Sequence, residues 1–301
     1  MRGPSSNLHV PFTGPPAGVA EERRKLLGQW LRDMAKRCLL RLYVRLWAPV
    51  RNLTRSLAGR CHTTVLVYHR LGDHDQDSIS IGVDQFRQHL KIMKRHYEVL
   101  DMADFLAGSR CRRVGVVITF DDGYESSYLA ARLLREAHLP ATFFISTRIV
   151  GTDAAFPHDL EKLGQHDAAL DWDQVGQMSE WGFHFGTHTA HHVNVAALPL
   201  EDAAVEIAAA QNDLLRQLGP KGSEVWFAYP YGRPSDISHE VRAALPACGV
   251  SYCFSAYGGV NKANFNPLDI RRQGINHKFT DLAFRAAVEG WKVRLPSAPG
   301  R

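Results

Sequence analysis

Residues 114–123 read VGVVITFDDG, an apolar run that stops abruptly in two carboxylates and a glycine. Val114, Val116, Val117, Ile118 and Phe120 form a short, β-branched stretch bounded by polar residues, which predicts a strand buried on both faces. Asp121 and Asp122 stand at its C-terminal end. Two neighbouring acids raise each other's pKa unless a cation or donor intervenes, and a metal ion would remove that cost.

Outward from this strand the pattern alternates. Upstream, Thr63 to His69 (TTVLVYH) predicts another buried strand, Asp84 caps a helix to His96, Tyr97 to Leu100 is a short strand, and Asp101 opens a helix to Leu106. Downstream come a helix over 126–138, a strand over 141–146, an excursion without pattern over 152–170, a helix over 173–181, a strand over 183–188 and a long helix over 199–218. Further strands are expected at 225–231, 251–255 and 268–271, with helices capped by Ser235 and Thr280. Strand, helix, strand recurs, and 301 residues suffice for an α/β fold, a distorted (β/α) barrel, with an appendage.

The appendage is N-terminal. Residues 1–22, rich in Pro, Gly and Ser at their start, are expected as a disordered tail without a secretory signal. Residues 23–60 are a basic amphipathic helical segment: apolar pairs recur every four positions from Leu26/Leu27 to Leu46/Trp47, and Pro49 is expected to interrupt the helix. That segment carries +10, residues 1–22 carry −1 and the remainder −4, together the net +5. The basic balance therefore belongs to one segment and does not imply a nucleic-acid groove. Its Trp and Leu face beside Arg and Lys fits an anionic membrane surface, or packing on the domain or a partner chain; it does not fit a spanning helix. Five scattered cysteines without CxxC spacing indicate neither disulfides nor a cysteine zinc site, and fit a cytoplasmic protein, peripheral at the inner membrane face.

Four predicted strands end in reactive side chains: His69, Asp121 with Asp122, His188, and Tyr231. In a parallel barrel the C-terminal strand ends converge on one site. His188 and His192, four residues apart, can face one point if the loop takes a helical turn, although spacing alone does not separate ligands from chance among 15 histidines. With Asp122 they make a two-His, one-carboxylate set that leaves positions open on a divalent ion.

TFDDG (119–123), HTAHH (188–192) and FAYPYG (227–232) resemble the first three motifs of the polysaccharide deacetylase family, the NodB-homology or carbohydrate esterase family 4 proteins, over roughly residues 63–291 and within a domain of 61–295. The resemblance implies Asp121 as general base, and Asp122, His188 and His192 as ligands of a divalent metal, Zn2+ with Co2+ or Ni2+ as alternatives. Two departures stand out. The Arg that usually precedes the Pro-Tyr of the third motif is replaced by Phe227, Ala228 and Tyr229, so an Arg orienting the base must come from elsewhere: Arg271 or Arg272 in LDIRR, with Arg272 carried in the site set. The C-terminal Leu-x-His is also missing; TTVLVYHRL resembles the YHR start of the circularly permuted branch, which makes His69 the acid, with His277 its rival. The expected activity is hydrolysis of the N-acetyl group of an N-acetylhexosamine in a polysaccharide or lipid-linked sugar, with the Tyr231 backbone N–H at the oxyanion. Trp226, Phe227 and Tyr229 are a sugar-stacking wall or core, two of the three being expected in the core. Another amide on the same fold, or a non-catalytic glycan- or membrane-binding protein, are the alternatives.

Overall fold

The computed structural model describes residues 17–72, 79–109, 111–162, 167–220 and 226–292. An N-terminal helix α1 (Ala17–Leu42) continues through a π turn (Tyr43–Trp47) into α2 (Ala48–Leu57). Of the expected tail, residues 1–16 lie outside the described residues, and 17–22 are helical. Pro49 does not interrupt the helix. It lies in the first turn of α2, where a missing N–H costs least, and the wide π turn precedes it.

The barrel begins with β1 (Thr63–Tyr68), followed by β2 (Arg70–Leu71), β3 (Ser80–Ile81), α3 (Val83–His96), β4 (Glu98–Val99), α4 (Met102–Leu106) and β5 (Gly115–Phe120). Then come α5 (Ser126–Glu136), β6 (Thr142–Ile145), α6 (Pro157–Lys162), α7 (Trp172–Glu180), β7 (His184–Thr187) and α8 (Leu200–Leu218). The chain ends through β8 (Trp226–Ala228), α9 (His239–Ala244), β9 (Tyr252–Phe254), β10 (Arg272–Gly274) and α10 (Asp281–Val288). Strands pair in parallel in the order β10-β1-β5-β6-β7-β8-β9, with β4 added beside β5. A parallel bridge between Phe254 and Ile270 nearly closes the ring. This is the distorted (β/α) barrel, helices covering its outer face.

Three local expectations shift. Gly82, not Asp84, is the cap of α3; Ser238, not Ser235, caps α9, because residues 234–236 form a separate 3-10 turn; and the last strand is Arg272–Gly274 rather than 268–271. β1 and β5 are buried at every position, in register Val65 with Val117 and Tyr68 with Phe120. Alternate side chains serve two cores. Leu66, Tyr68, Ile118 and Phe120 join the outer layer with the helices, whereas Val65, Val117, Phe144, Trp226, Phe254 and Ile270 fill the interior.

The helical extension touches this body at few points. Val44 and Ala48 are buried, Tyr43 lies 4.6 Å from Trp291, and Glu289 accepts from Arg51 at 2.6 Å and Asn52 at 2.9 Å. Leu26, Leu27, Trp30, Leu31, Leu39, Leu46, Trp47 and Leu53 remain exposed. No helix among the described residues is long and apolar enough to cross a membrane.

Candidate active site

The period of two that sends Val117 inward also sends Thr119 and Asp121 inward, so the first acid of the pair emerges at the barrel's C-terminal mouth, 2% exposed. Arg272, from the closing strand β10 and fully buried, meets it with both arms: Nη1 donates to Asp121 Oδ1 at 2.6 Å and Nη2 to Oδ2 at 2.6 Å. The guanidinium also donates to Thr119 Oγ1 (3.2 Å) and the Ser255 carbonyl (2.9 Å), and lies 5.2 Å over the Phe144 ring. The planar fork matches a carboxylate in a way a lysine could not. Arg271 turns the other way, over Tyr257.

Asp122 leaves the strand with φ 73°, which swings it off the strand's alternation, and Gly123 follows at φ 99°. A Cβ on Gly123 would meet Val150 at 2.9 Å, so the turn needs glycine twice over. The turn points Asp122 at two imidazoles: Oδ1 is 3.3 Å from His188 Nε2 and 3.1 Å from His192 Nε2. Burial works to raise the Asp122 pKa, but the pull of His192 and His188 outweighs it and holds the carboxyl well below its usual range.

These three residues fit a divalent ion. One ligand atom from each lies within 4.8 Å of the others, all three are buried, and both Asp122 oxygens lack a donor in hydrogen-bond geometry. His188 Nδ1 lies 2.8 Å from the Ala228 carbonyl, an acceptor only, so Nδ1 carries the proton and Nε2 is left to face the carboxylate. A metal cation between Nε2 and Oδ1 would answer both lone pairs. Ligands about 2.1 Å from a tetrahedral ion stand about 3.4 Å apart, close to the two contacts seen. The loop that presents the pair is not helical: Thr189 and His192 both take left-handed φ, 62° and 56°. Of five described non-glycine residues with positive φ, Asp122, Thr189, His192 and Tyr231 are at this site, a concentration of strain expected where geometry is imposed for a purpose.

His69 follows β1 at the same mouth. Burial lowers its pKa, while the Asp122 and Asp121 carboxylates pull the other way, so both acids are within electrostatic reach of the ring. His277 is held differently: its N–H donates to the Ser80 carbonyl, its carbonyl accepts from Gln85, and no contact among the described residues joins it to the acids. Tyr231, half-buried, sets its ring 5.2 Å from that of His192. Trp226, Phe227 and Tyr229 are all buried, so none of the three makes a sugar-stacking wall. His184 contacts Asp101 at 3.1 Å near the start of β7, and His191 is exposed on Glu206 at 2.8 Å.

The patternless excursion supplies what the sequence reading missed. His158 and Asp159, in α6, return to the site. Tyr124 donates its hydroxyl proton to Asp159 Oδ2 at 2.8 Å, since a carboxylate can only accept; His158 Nε2, 2.8 Å from the Tyr124 hydroxyl oxygen, is then a donor to it. That nitrogen is 3.7 Å from Asp122 Oδ2, and the ring is 4.7 Å from His192. Arg70, 1% exposed, anchors the excursion through Asp159 (3.4 Å), Asp167 and the Tyr124 ring (4.8 Å). The only signal in the sequence was an arginine following His69 at a strand end.

The comparisons with known proteins agree with this geometry. The family profile for polysaccharide deacetylase matches residues 110–253, which include the acid pair, both histidines and the Pro-Tyr turn. A Bacillus subtilis (strain 168) protein, YxkH, whose own assignment as a polysaccharide deacetylase is provisional, is 21% identical over 238 residues, 76% of each chain. Among solved structures, IcaB from Ammonifex degensii is similar with a TM-score of 0.64 at 24% identity, covering 76% of this chain and 98% of that one. The Streptococcus pyogenes deacetylase PplD, in complex with acetate, gives 0.63 at 19%, covering 76% and 99%. The two structures share the barrel, and the profile match falls on the stretch that carries the buried acids and imidazoles: residues 110–253 match the polysaccharide deacetylase family.

Proposed function

We propose that this protein is a metal-dependent hydrolase that removes the N-acetyl group from an N-acetylhexosamine of a polysaccharide or lipid-linked glycan and releases acetate. One observation carries the reading: the acid pair is divided, Asp121 being clasped by Arg272 while Asp122 faces two imidazoles. A divalent ion at Asp122, His188 and His192, Zn2+ or else Co2+ or Ni2+, supplies Lewis acidity to the acetyl carbonyl and the attacking water.

The protein's own groups do the rest. Asp121 takes a proton from the water as its oxygen joins the acyl carbon; each carboxylate oxygen keeps a second lone pair beside its bond to Arg272. Arg272 fixes the orientation of that base. The Tyr231 backbone N–H donates to the carbonyl oxygen as it gains charge. His69 gives its proton to the nitrogen as the C–N bond breaks, so acetate and a free amine leave. The acetate in the Streptococcus pyogenes structure is the product this reaction requires. An acetate-release screen over N-acetylglucosamine oligomers and lipid-linked sugars with defined metals is the test, with release expected from at least one; wild-type protein that binds no metal would sink the reading.

The exposed apolar row on a segment of charge +10 supports a second part: residues 23–60 rest on an anionic membrane at its cytoplasmic face, where lipid-linked precursors are within reach. In flotation assays the full chain is expected to rise with anionic vesicles, and Leu27→Glu/Trp30→Glu/Leu31→Glu to stay behind. Equal flotation of both, or of neither, contradicts it.

A further inference from the structure

His69 does more than face the acids: it also forms one wall of a cavity of about 690 Å3, within the roughly 300–1,000 Å3 typical of small-molecule sites. The remaining walls come from residues 256–259 after β9, from Arg271 and residues 273–276 around β10, from Phe279, and from the end of α10 through Lys292. Among the described residues no Asp or Glu lines it, and its charged side chains are Arg271 and Lys292, both cations.

Arg271 is held in place. Its backbone N–H donates to Asn261 Oδ1 at 3.0 Å, its carbonyl accepts from Asn261 Nδ2 at 2.8 Å, and its guanidinium stands 5.7 Å over Tyr257. Asp269, which accepts the Tyr257 hydroxyl, is not part of the lining. Gly258, Gly259 and Gly290 take left-handed φ of 82°, 115° and 80°, which keeps side chains out of three corners. At the rim Trp291 packs on Tyr43, so the cavity ends against the helical extension.

We infer that this cavity is a subsite for a glycosyl phosphate, with the sugar beside His69 and the phosphate on Arg271 and Lys292. The inference rests on the deacetylase reading of the acid pair. Two cations with no carboxylate among the described lining residues match a phosphate, whose oxygens Arg binds in pairs. A phosphate at this rim would lie next to the helix expected on the membrane, as a lipid-borne sugar phosphate requires; a free sugar phosphate carries one more negative charge and presents the same kind of oxygens to Arg271.

Ligand-observed NMR on the full chain separates the possibilities. N-acetylglucosamine 1-phosphate is expected to bind at least tenfold more tightly than the neutral methyl glycoside of N-acetylglucosamine. Arg271→Gln/Lys292→Gln is expected to lose that preference and bind the methyl glycoside as wild type does. Equal affinities in wild type, or a preference that survives the double variant, overturn the inference. The same sugar phosphate on a polyprenyl chain in neutral vesicles assigns the source: tighter binding than the soluble form assigns a lipid-borne ligand, equal binding a soluble one, and either supports the subsite. Acetate release from neutral N-acetylglucosamine oligomers is read in parallel. Its absence in wild type, from these and from the lipid-linked sugar alike, counts against the deacetylase, whereas equal affinities of wild type for the two sugars count against the cavity alone.

Discussion

Asp121 and Asp122 are neighbours in sequence, equally buried, and differ in what answers their charge. On one side the fold supplies a permanent cation: Arg272 meets Asp121 through two hydrogen bonds of 2.6 Å. On the other it supplies only imidazoles, groups that carry charge or not according to what they bind. The first arrangement is complete within the protein, and the second is open to a visitor. A single dipeptide thus carries a fixed ion pair and a vacancy for charge, which is how two like acids share a strand end without both being neutralised.

The sharpest break in that contrast is at the base. Asp121→Asn should lower acetate release by about 10^2–10^4-fold, the span of general-base catalysis, with metal content by mass spectrometry unchanged. Loss of metal together with activity would erase the distinction between the two acids. Arg272→Met should cost about 3–5 kcal/mol in urea unfolding, because it strands a buried carboxylate. A loss below 1 kcal/mol would mean that Asp121 is balanced by something else.

A background must be subtracted from such measurements. His62 and His89 are each pushed down to about 4 by burial, against the opposing help of carbonyls at Val288 and Phe279. The unfolded chain takes up protons at these residues near pH 6.5 and the folded one only near pH 4. Stability is therefore full above 6.5 and falls as the pH drops to 4, by about 3 kcal/mol for each residue. His62→Gln should flatten part of that limb; an unchanged slope would remove His62 from the account. Metal probes the open side: Zn2+ at 100 times its dissociation constant should stabilise wild type by about 2.7 kcal/mol and leave Asp122→Asn unmoved. Smallest is Tyr124→Phe, which frees His158 and Asp159 from their shared hydroxyl and should weaken Zn2+ binding by about 10-fold in calorimetry.

The sequence carried the barrel and the acid pair for one reason: both are written in local pattern. A β-branched run ending in Asp-Asp-Gly announces its strand end, and HTAHH announces its spacing. His158 was not legible, because residues 152–170 have no periodicity and owe their path to Arg70, which lies far upstream. The left-handed turns at Thr189 and His192 were equally hidden, since neither residue favours that conformation and the neighbouring loops enforce it. Strand alternation places two of Trp226, Phe227 and Tyr229 in the core, and the structure buries all three, because packing between β8 and the helices α8 and α9 claims Phe227 and Tyr229 on one face while Trp226 fills the barrel interior on the other.

The counter-charge of Asp121 comes from β10, the last strand among the described residues, 151 residues further along the chain. An emerging polypeptide exposes Asp121 long before it owns the arginine that pairs with it. Closing the barrel and arming the site are therefore one event, and a chain truncated before β10 lacks both, so it has no means of being folded but unready. The last piece of the scaffold doubles as a proof of completion.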